Sequence, residues 1–359
     1  MNSDEQLVAF SDPPTGVVRM RNGCVGVLVF AMVAASSAAR ADEVCGVTDN
    51  MLADGFEPAN ILPAYTLPGD ATPLTLSIAD PPDNAATGLD RIVLRGSFTG
   101  PPNTGIVAGD RVVAHSNTEF VTPPIALEPG ANAITVQLHG IDGPGPSIVH
   151  HITYDPALAP RARVLPRTVS AMAPTAIAFD IALQPGEPLA LTRIRLDTDG
   201  NGSIDVDTTN ANALKATYLQ PGLTKITGTA TLDDTNPNTA PLQVPLATWF
   251  LAVHPQQTRY TLCSAFGTMR TRLAAQNVDG ALNTLTIDMQ ERFEPFWTAI
   301  KPQLPTVAGE LGTIIDARFS RGEAELLLAR PNPGVPGTSN AFRVQWSRGT
   351  DGVWRIGAM

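Results

Sequence analysis

The chain has 359 residues, enough for two or three bodies that each bury a core of their own. Its net charge of −10, with Lys215, Lys225 and Lys301 scattered rather than clustered, excludes the basic surface that nucleic acid or an anionic bilayer attracts. A hydrophobic share of 43% beside 16% charged residues, 30 Gly and 32 Pro excludes wholesale disorder and favours strands joined by turns.

Met20-Arg21-Asn22 leads into the apolar run GCVGVLVFAMVAASSA and then ARA, which puts Ala39 and Ala41 at the small-residue positions a signal peptidase reads. Residues 1–41 are therefore predicted to be a signal peptide cut after Ala41, and the acids Asp4, Glu5 and Asp12 ahead of Met20 point to a true start at residue 20. The run is shorter than the roughly 20 residues of a membrane-spanning helix, so the mature chain is expected to be exported with no transmembrane segment, to the periplasm, outer surface or medium. Cleavage removes Cys24 and leaves Cys45 and Cys263 in an oxidising compartment. Two readings remain open: an intramolecular bridge, or a buried Cys263 with a free or intermolecular Cys45.

Residues 42–70 lack periodicity and read as a tail or linker with Phe56 as an aromatic anchor. The segment CGVTDNMLADGFEP within it resembles a short Cys and Asp-Gly-Phe-Glu element that recurs in exported bacterial proteins, and the resemblance implies no activity.

From 71 to 157 the runs LTLSI, RIVLRGSF, RVVAH, NAITVQLHGI and SIVHHITY are separated by Pro, Gly, Asn and Asp, the spacing of a β-sandwich. Ile134, Val136 and Leu138 alternate with Thr135 and Gln137, so one strand face is predicted buried and the other wet. The stretch VLRGSF followed by GIVAGDRVVAHSNTEFVTPPIALEPGANAITVQLHGIDG resembles the bacterial immunoglobulin-like modules of the glucodextranase B-domain type. That resemblance implies a sandwich and leaves its ligand open, because such modules serve as spacers, glycan binders or adhesin stalks.

Residues 158–255 repeat the pattern through TAIAFDIAL, LALTRIRLD, TKITGTATLDD and PLQVPLATWFLAV, a second predicted sandwich. Within it DTDGNGSID and then ATYLQPGLTKITGTATLDD resemble the polycystic-kidney-disease (PKD) type of immunoglobulin-like domain, with Ile194-Arg195-Leu196 replacing the aromatic lead-in of that pattern.

From 256 to 359 the period changes to that of a helix. Leu262, Phe266, Met269 and Leu273 form one stripe; Met289, Phe293, Phe296 with Trp297, and Ile300 form another, with Asp279 as the N-cap between them. Strands follow, marked by Ile315/Ala317/Phe319, Phe342/Val344/Trp346 and Trp354/Ile356. Helices followed by an antiparallel sheet ending in DGVWRI resemble the small α+β cones of the nuclear transport factor 2-like group, and the same order is similar to an uncharacterised C-terminal domain of bacterial surface proteins.

One stretch carries a metal-ligand pattern. Asp197, Asp199, Asn201 and Asp205 stand at positions 1, 3, 5 and 9 of a calcium loop, Ser203 offers its carbonyl at position 7, and Gly202 sits at the sharp turn. Thr208 replaces the carboxylate of position 12, which lowers the expected affinity to about 10⁻⁴–10⁻³ M. The competing reading is an Asp/Asn/Gly turn whose side chains bond local amides. Little else offers chemistry. His150 and His151 are adjacent and face opposite sides of a strand, while His115, His139 and His254 lack metal spacing. No Gly-x-Ser-x-Gly elbow is present. Asp316, Glu323 and Glu325 read as a solvated sheet face, Trp297, Trp346 and Trp354 as core of the last domain, and Trp249-Phe250 as closing the second sandwich.

The fold class expected is multidomain: two all-β immunoglobulin-like sandwiches followed by an α+β cone of helices on an antiparallel sheet. The function expected is that of a non-catalytic protein of the bacterial envelope or medium. Its modules act as spacer or adhesion surface toward a protein or glycan, and its C-terminal domain binds a partner or ligand, with calcium as the sole cofactor. The alternative is an accessory or catalytic component of polysaccharide degradation with a pocket in the C-terminal domain.

Overall fold

The computed structural model describes residues 69, 71–234, 238–320 and 322–359; the predicted signal peptide, Cys24, Cys45 and Phe56 lie outside the described residues. The chain divides into two units, 1–39 and 40–359, and every described residue belongs to the second. That unit is mostly β, with several sheets and a C-terminal region of helices on an antiparallel sheet.

The first two sheets carry strands Thr75–Asp80, Arg95–Thr99, Glu119–Val121 and Ala114–Ser116 in one layer. The other layer runs Ala85–Thr87, Gly143–Tyr154, Gly130–Gly140, Gly105–Ala108 and Arg111–Val112. Side chains alternate across each strand, so Phe98 and Phe120 from one layer meet Ile106, Val136, Leu138 and Ile152 from the other in a single hydrophobic cluster. Burying each of these side chains stabilises the body by about 1.5–3 kcal/mol. Ala85–Thr87 is the exception to the antiparallel rule: it runs parallel to the end of Gly143–Tyr154, with Ile152 opposite Ala85 and Tyr154 opposite Thr87.

The next pair of sheets repeats this plan. Ala162–Pro166, Thr175–Leu183 and Lys215–Tyr218 form one layer. Ser170–Met172, Leu242–Val253, Gly222–Asp233, Ala190–Asp197 and Val206–Thr208 form the other. Ile177, Phe179, Leu196, Ile226 and Phe250 fill a separate core between them. Ser170–Met172 is again a short edge strand parallel to the last strand, Ser170 opposite Leu251 and Met172 opposite Val253.

Beyond Val253 the helix Gln257–Ala274 buries the predicted stripe Leu262, Phe266, Met269 and Leu273. It lies with the helices Val278–Leu282, Ile287–Ala299 and Leu304–Glu310 on a meander of Thr313–Phe319, Glu323–Pro331, Ser339–Arg348 and Trp354–Ala358. Three details differ from the sequence reading. The N-cap is Asn277, whose side chain accepts from the Gly280 N–H at 3.0 Å, and Asp279 sits inside the first turn. The second stripe passes through Trp297, leaving Phe296 53% exposed, because spacings of four from Met289 through Phe293 reach residue 297. In the first strand Ile315 is an extra residue, with Ile314 opposite Leu328 and Asp316 opposite Leu327, so this bulge moves Ile314 rather than Ile315 into the core.

The three cores are distinct, and polar contacts join the bodies around them. Asn103 of the first body exchanges two hydrogen bonds with the Trp354 backbone. Asp142 receives the Arg272 guanidinium through both oxygens at 2.6 and 2.7 Å, together with the Asn283 amide. Trp249 was expected to close the second sandwich; only Phe250 does so, while the Trp249 indole reaches across to donate to Asp80 at 2.6 Å beneath the Arg95 guanidinium. Backbones also touch directly, since a Cβ at Gly105 would lie 2.1 Å from the Asp351 carbonyl oxygen.

Candidate functional site

The hairpin between Ala190–Asp197 and Val206–Thr208 carries the predicted metal loop, and the pairing of Leu196 with Val206 brings its two ends together. The carboxylates of Asp197, Asp199 and Asp205 converge, one oxygen from each lying within 4.8 Å of the others. Ligands 2.3–2.6 Å from one calcium ion are separated by at most about 5 Å, so the cluster has the span of a calcium shell.

Backbone donors hold it in place. Asp197 is buried and accepts from the Gly200 and Gly202 N–H groups at 2.7 and 2.8 Å, one on each carboxylate oxygen. Gly200 and Gly202 have φ of +78° and +88°, the left-handed conformation that lets the chain wrap back over Asp197. Asp199 accepts from the Asn201 backbone and side-chain amides, and Asn201 Oδ1 accepts from the Ser203 N–H, so these two polar residues brace the turn. Asp205 takes both the N–H and the hydroxyl of Thr198 at 2.8 Å, and these bonds hold its pKa below the usual carboxylate value. Each Asp197 oxygen keeps a lone pair beyond its one hydrogen bond, which is the capacity a cation needs.

Two residues outside the pattern anchor the loop. Thr198 clamps Asp205, and the Tyr218 hydroxyl donates to the Thr198 carbonyl at 2.9 Å. Burial pushes the Tyr218 phenol well above its normal range, and the negative charges of Asp199 and Asp205 push it further, a sign of the potential inside the loop. The Tyr that follows the Asp/Gly turn in the sequence was the signal for this contact. Thr208 pairs with Ile194 in the strand and its hydroxyl accepts from the Asn210 N–H, so position 12 serves the next turn. The three-carboxylate cluster can hold a metal such as calcium.

The other sequence candidates lie apart. His150 is buried and His151 exposed, and both ring Nδ1 atoms face Asp83, at 3.7 and 3.4 Å. Asp316 points out and accepts from its neighbour Ala317, while Glu325 lies 3.7 Å from Arg343. Trp297, Trp346 and Trp354 are core residues. Cys263 is disulfide-bonded, and its partner lies outside the described residues. Among the described residues no helix is long and apolar enough to cross a membrane.

The chain matches no protein-family profile and no curated protein. Among solved structures it is similar to the Clostridium thermocellum CbhA fibronectin(III)-like modules, at 14% identity and a TM-score of 0.18, over 51% of this chain and 96% of that one. Domains 5-6 of the S-layer protein SbsC are 9% identical with a TM-score of 0.22, over 51% of this chain and 99% of that one. The Escherichia coli adhesin FdeC is 11% identical with a TM-score of 0.18, over 51% of this chain and 66% of that one. TM-scores this low assign neither fold family nor function; the chain's likenesses are distant ones, to modules of bacterial surface proteins among others.

Proposed function

We propose that this is an exported, non-catalytic protein of the bacterial envelope or medium. Two immunoglobulin-like sandwiches, a glucodextranase B-domain-like one over 71–157 and a PKD-like one over 158–255, form a rigid spacer and adhesion surface. A nuclear transport factor 2-like domain over 256–359 offers a further surface for a partner or ligand, and calcium stiffens the 197–205 loop. The observation that carries this reading is that separately cored bodies are locked to each other by buried and bidentate polar contacts, at Asn103 with Trp354 and at Asp142 with Arg272. Such locks fix the angle at which surfaces are displayed. The alternative, a component of polysaccharide degradation, needs a pocket in the C-terminal domain; Trp297, Trp346 and Leu326 fill the interior between helices and sheet, and the hollow of about 400 Å³ that the domain carries lies on its sheet beside Glu323, Glu325 and Gln345.

The test is to incubate the purified mature protein with cell envelopes of the producing bacterium and with a panel of glycans and esters. Saturable retention on envelopes or on a glycan without turnover is expected. Reproducible hydrolysis abolished by a single substitution overturns the reading.

A further inference from the structure

A cavity of about 470 Å³ lies where the three bodies meet. The first body contributes His115, the second Met172 and the third Gln257, Phe319, Arg348 and Trp354. Its volume is that of sites for drug-sized molecules. Its charge is opposite to that of the chain: in a protein of net charge −10, no Asp or Glu lines it, and Arg348 stands in its wall.

Arg348 is an under-used cation. Its Nε donates to the Gly352 carbonyl at 2.9 Å and Nη2 makes a long contact of 3.5 Å with the Val113 carbonyl, both neutral acceptors. Asp351, the acid nearest in sequence, is bridged to Arg355 at 2.7 Å. No carboxylate among the described residues lies within ion-pair distance of Arg348, although the charge of Asp351 reaches it, and a half-buried guanidinium without a direct partner gains from a ligand anion. The neighbouring wall is neutral: burial first, and the Arg348 charge second, hold His115 down to about 3, so its imidazole brings no second positive charge. Gln257 adds an unmatched group at the edge of the cavity, one end of its amide meeting His115 Nδ1 at 2.8 Å while Oε1 is buried without a partner.

One guanidinium balances one negative charge. A phosphate dianion would leave surplus charge in a site with a single cation, whereas a planar carboxylate matches both the charge and the flat N–H edge of Arg348. Met172, Phe319 and Trp354 offer apolar surface to the rest of such a ligand. We infer that the three-body junction is a binding site for a small amphipathic monocarboxylate, its carboxylate on Arg348 and its apolar portion against Met172, Phe319 and Trp354. This site stands independently of the adhesive role proposed above.

The test uses the full mature chain with phenylacetate, the neutral isostere phenylacetamide and inorganic phosphate, followed by calorimetric titration and thermal melting. Phenylacetate is expected to bind at least about tenfold more tightly than phenylacetamide and to raise the melting temperature, and phosphate is expected to do neither. Arg348 also ties its own hairpin together, so the decisive variant is Met172→Glu, at a site-lining residue that is 49% exposed. Met172→Glu should weaken phenylacetate by about tenfold or more and phenylacetamide, which loses the apolar contact but meets no charge repulsion, by several-fold less. Equal binding of acid and amide, no binding of phenylacetate, binding of phosphate in its place, or indifference to Met172→Glu would each overturn the inference.

Discussion

Asn103 and Trp354 grip each other twice: the Asn103 side-chain N–H donates to the Trp354 carbonyl, and the Trp354 N–H donates to Asn103 Oδ1, both at 2.9 Å. One side chain thus completes the backbone bonding of a strand end 251 residues away. Asn103→Ala leaves a buried N–H and C=O without partners, at about 1–3 kcal/mol each. A loss of about 2–6 kcal/mol in urea denaturation is expected, with the C-terminal helices and sheet melting before the sandwiches. An unchanged midpoint and a single transition would show that the bond pair does not dock the domain.

Calcium should act through the 197–205 loop. With a dissociation constant of about 10⁻⁴–10⁻³ M, about 10 mM calcium stabilises the protein by roughly 1.4–2.7 kcal/mol. Asp199→Asn is the clean variant, since Asp199 is exposed and bonds only Asn201 within the loop, whereas Asp197 also holds the backbone turn. The calcium-dependent rise in melting temperature should disappear in Asp199→Asn with little change in the metal-free melt. A rise that persists there, or is absent in the parent, is evidence against the site.

Acid should weaken the fold in two stages. His115 has a folded pKa of about 3 against an ordinary value of 6.5, so between those values the unfolded chain binds a proton that the folded one refuses. Its contribution is complete above pH 6.5 and falls by about 1.4 kcal/mol per unit below it. The carboxylates come next: Arg272 holds Asp142 low and Thr198 holds Asp205 low, so their stabilisation is present above 3.8 and is lost as pH falls beneath it. His115→Gln should flatten the first stage and spare the second. Denaturation midpoints measured from pH 4 to 8 check this; equal slopes in both proteins would contradict the burial of His115.

Cys263 is disulfide-bonded, and cleavage after Ala41 would leave Cys45 as the remaining cysteine of the mature chain. A non-reducing peptide map of the exported protein should recover those two residues in one linked species. Cys45→Ser should release the Cys263 thiol and lower stability by about 2–5 kcal/mol. A dimer linked through Cys45 would appear in the same map as a different species and would reject the pairing.

The long strands were legible because one face of each is buried: TAIAFDIAL is the strand Thr175–Leu183, and the alternation in NAITVQL is the burial pattern of Ile134, Val136 and Leu138. The first helix was legible for the same reason, through its stripe from Leu262 to Leu273. What periodicity missed were local breaks, such as the bulge at Ile315 that turns one strand onto its other face. Contacts between bodies left no periodic signal at all. Trp249 looks like any core aromatic in sequence, and only the approach of Asp80 from another body reveals its role. The carboxylate spacing of the 197–205 loop was readable because its ligands are local; the junction around Arg348 was not, since its walls come from residues as far apart as 102 and 354.

The short parallel edge strands bear on how the protein meets force. Ala85–Thr87 lies against the outgoing end of Gly143–Tyr154, and Ser170–Met172 against that of Leu242–Val253, three paired residues in each case. Tension applied at the two ends of either body pulls these neighbours in opposite directions along their shared axis. The rungs are then loaded sideways and must yield together, as a shear clamp, rather than peel open singly as in a zipper.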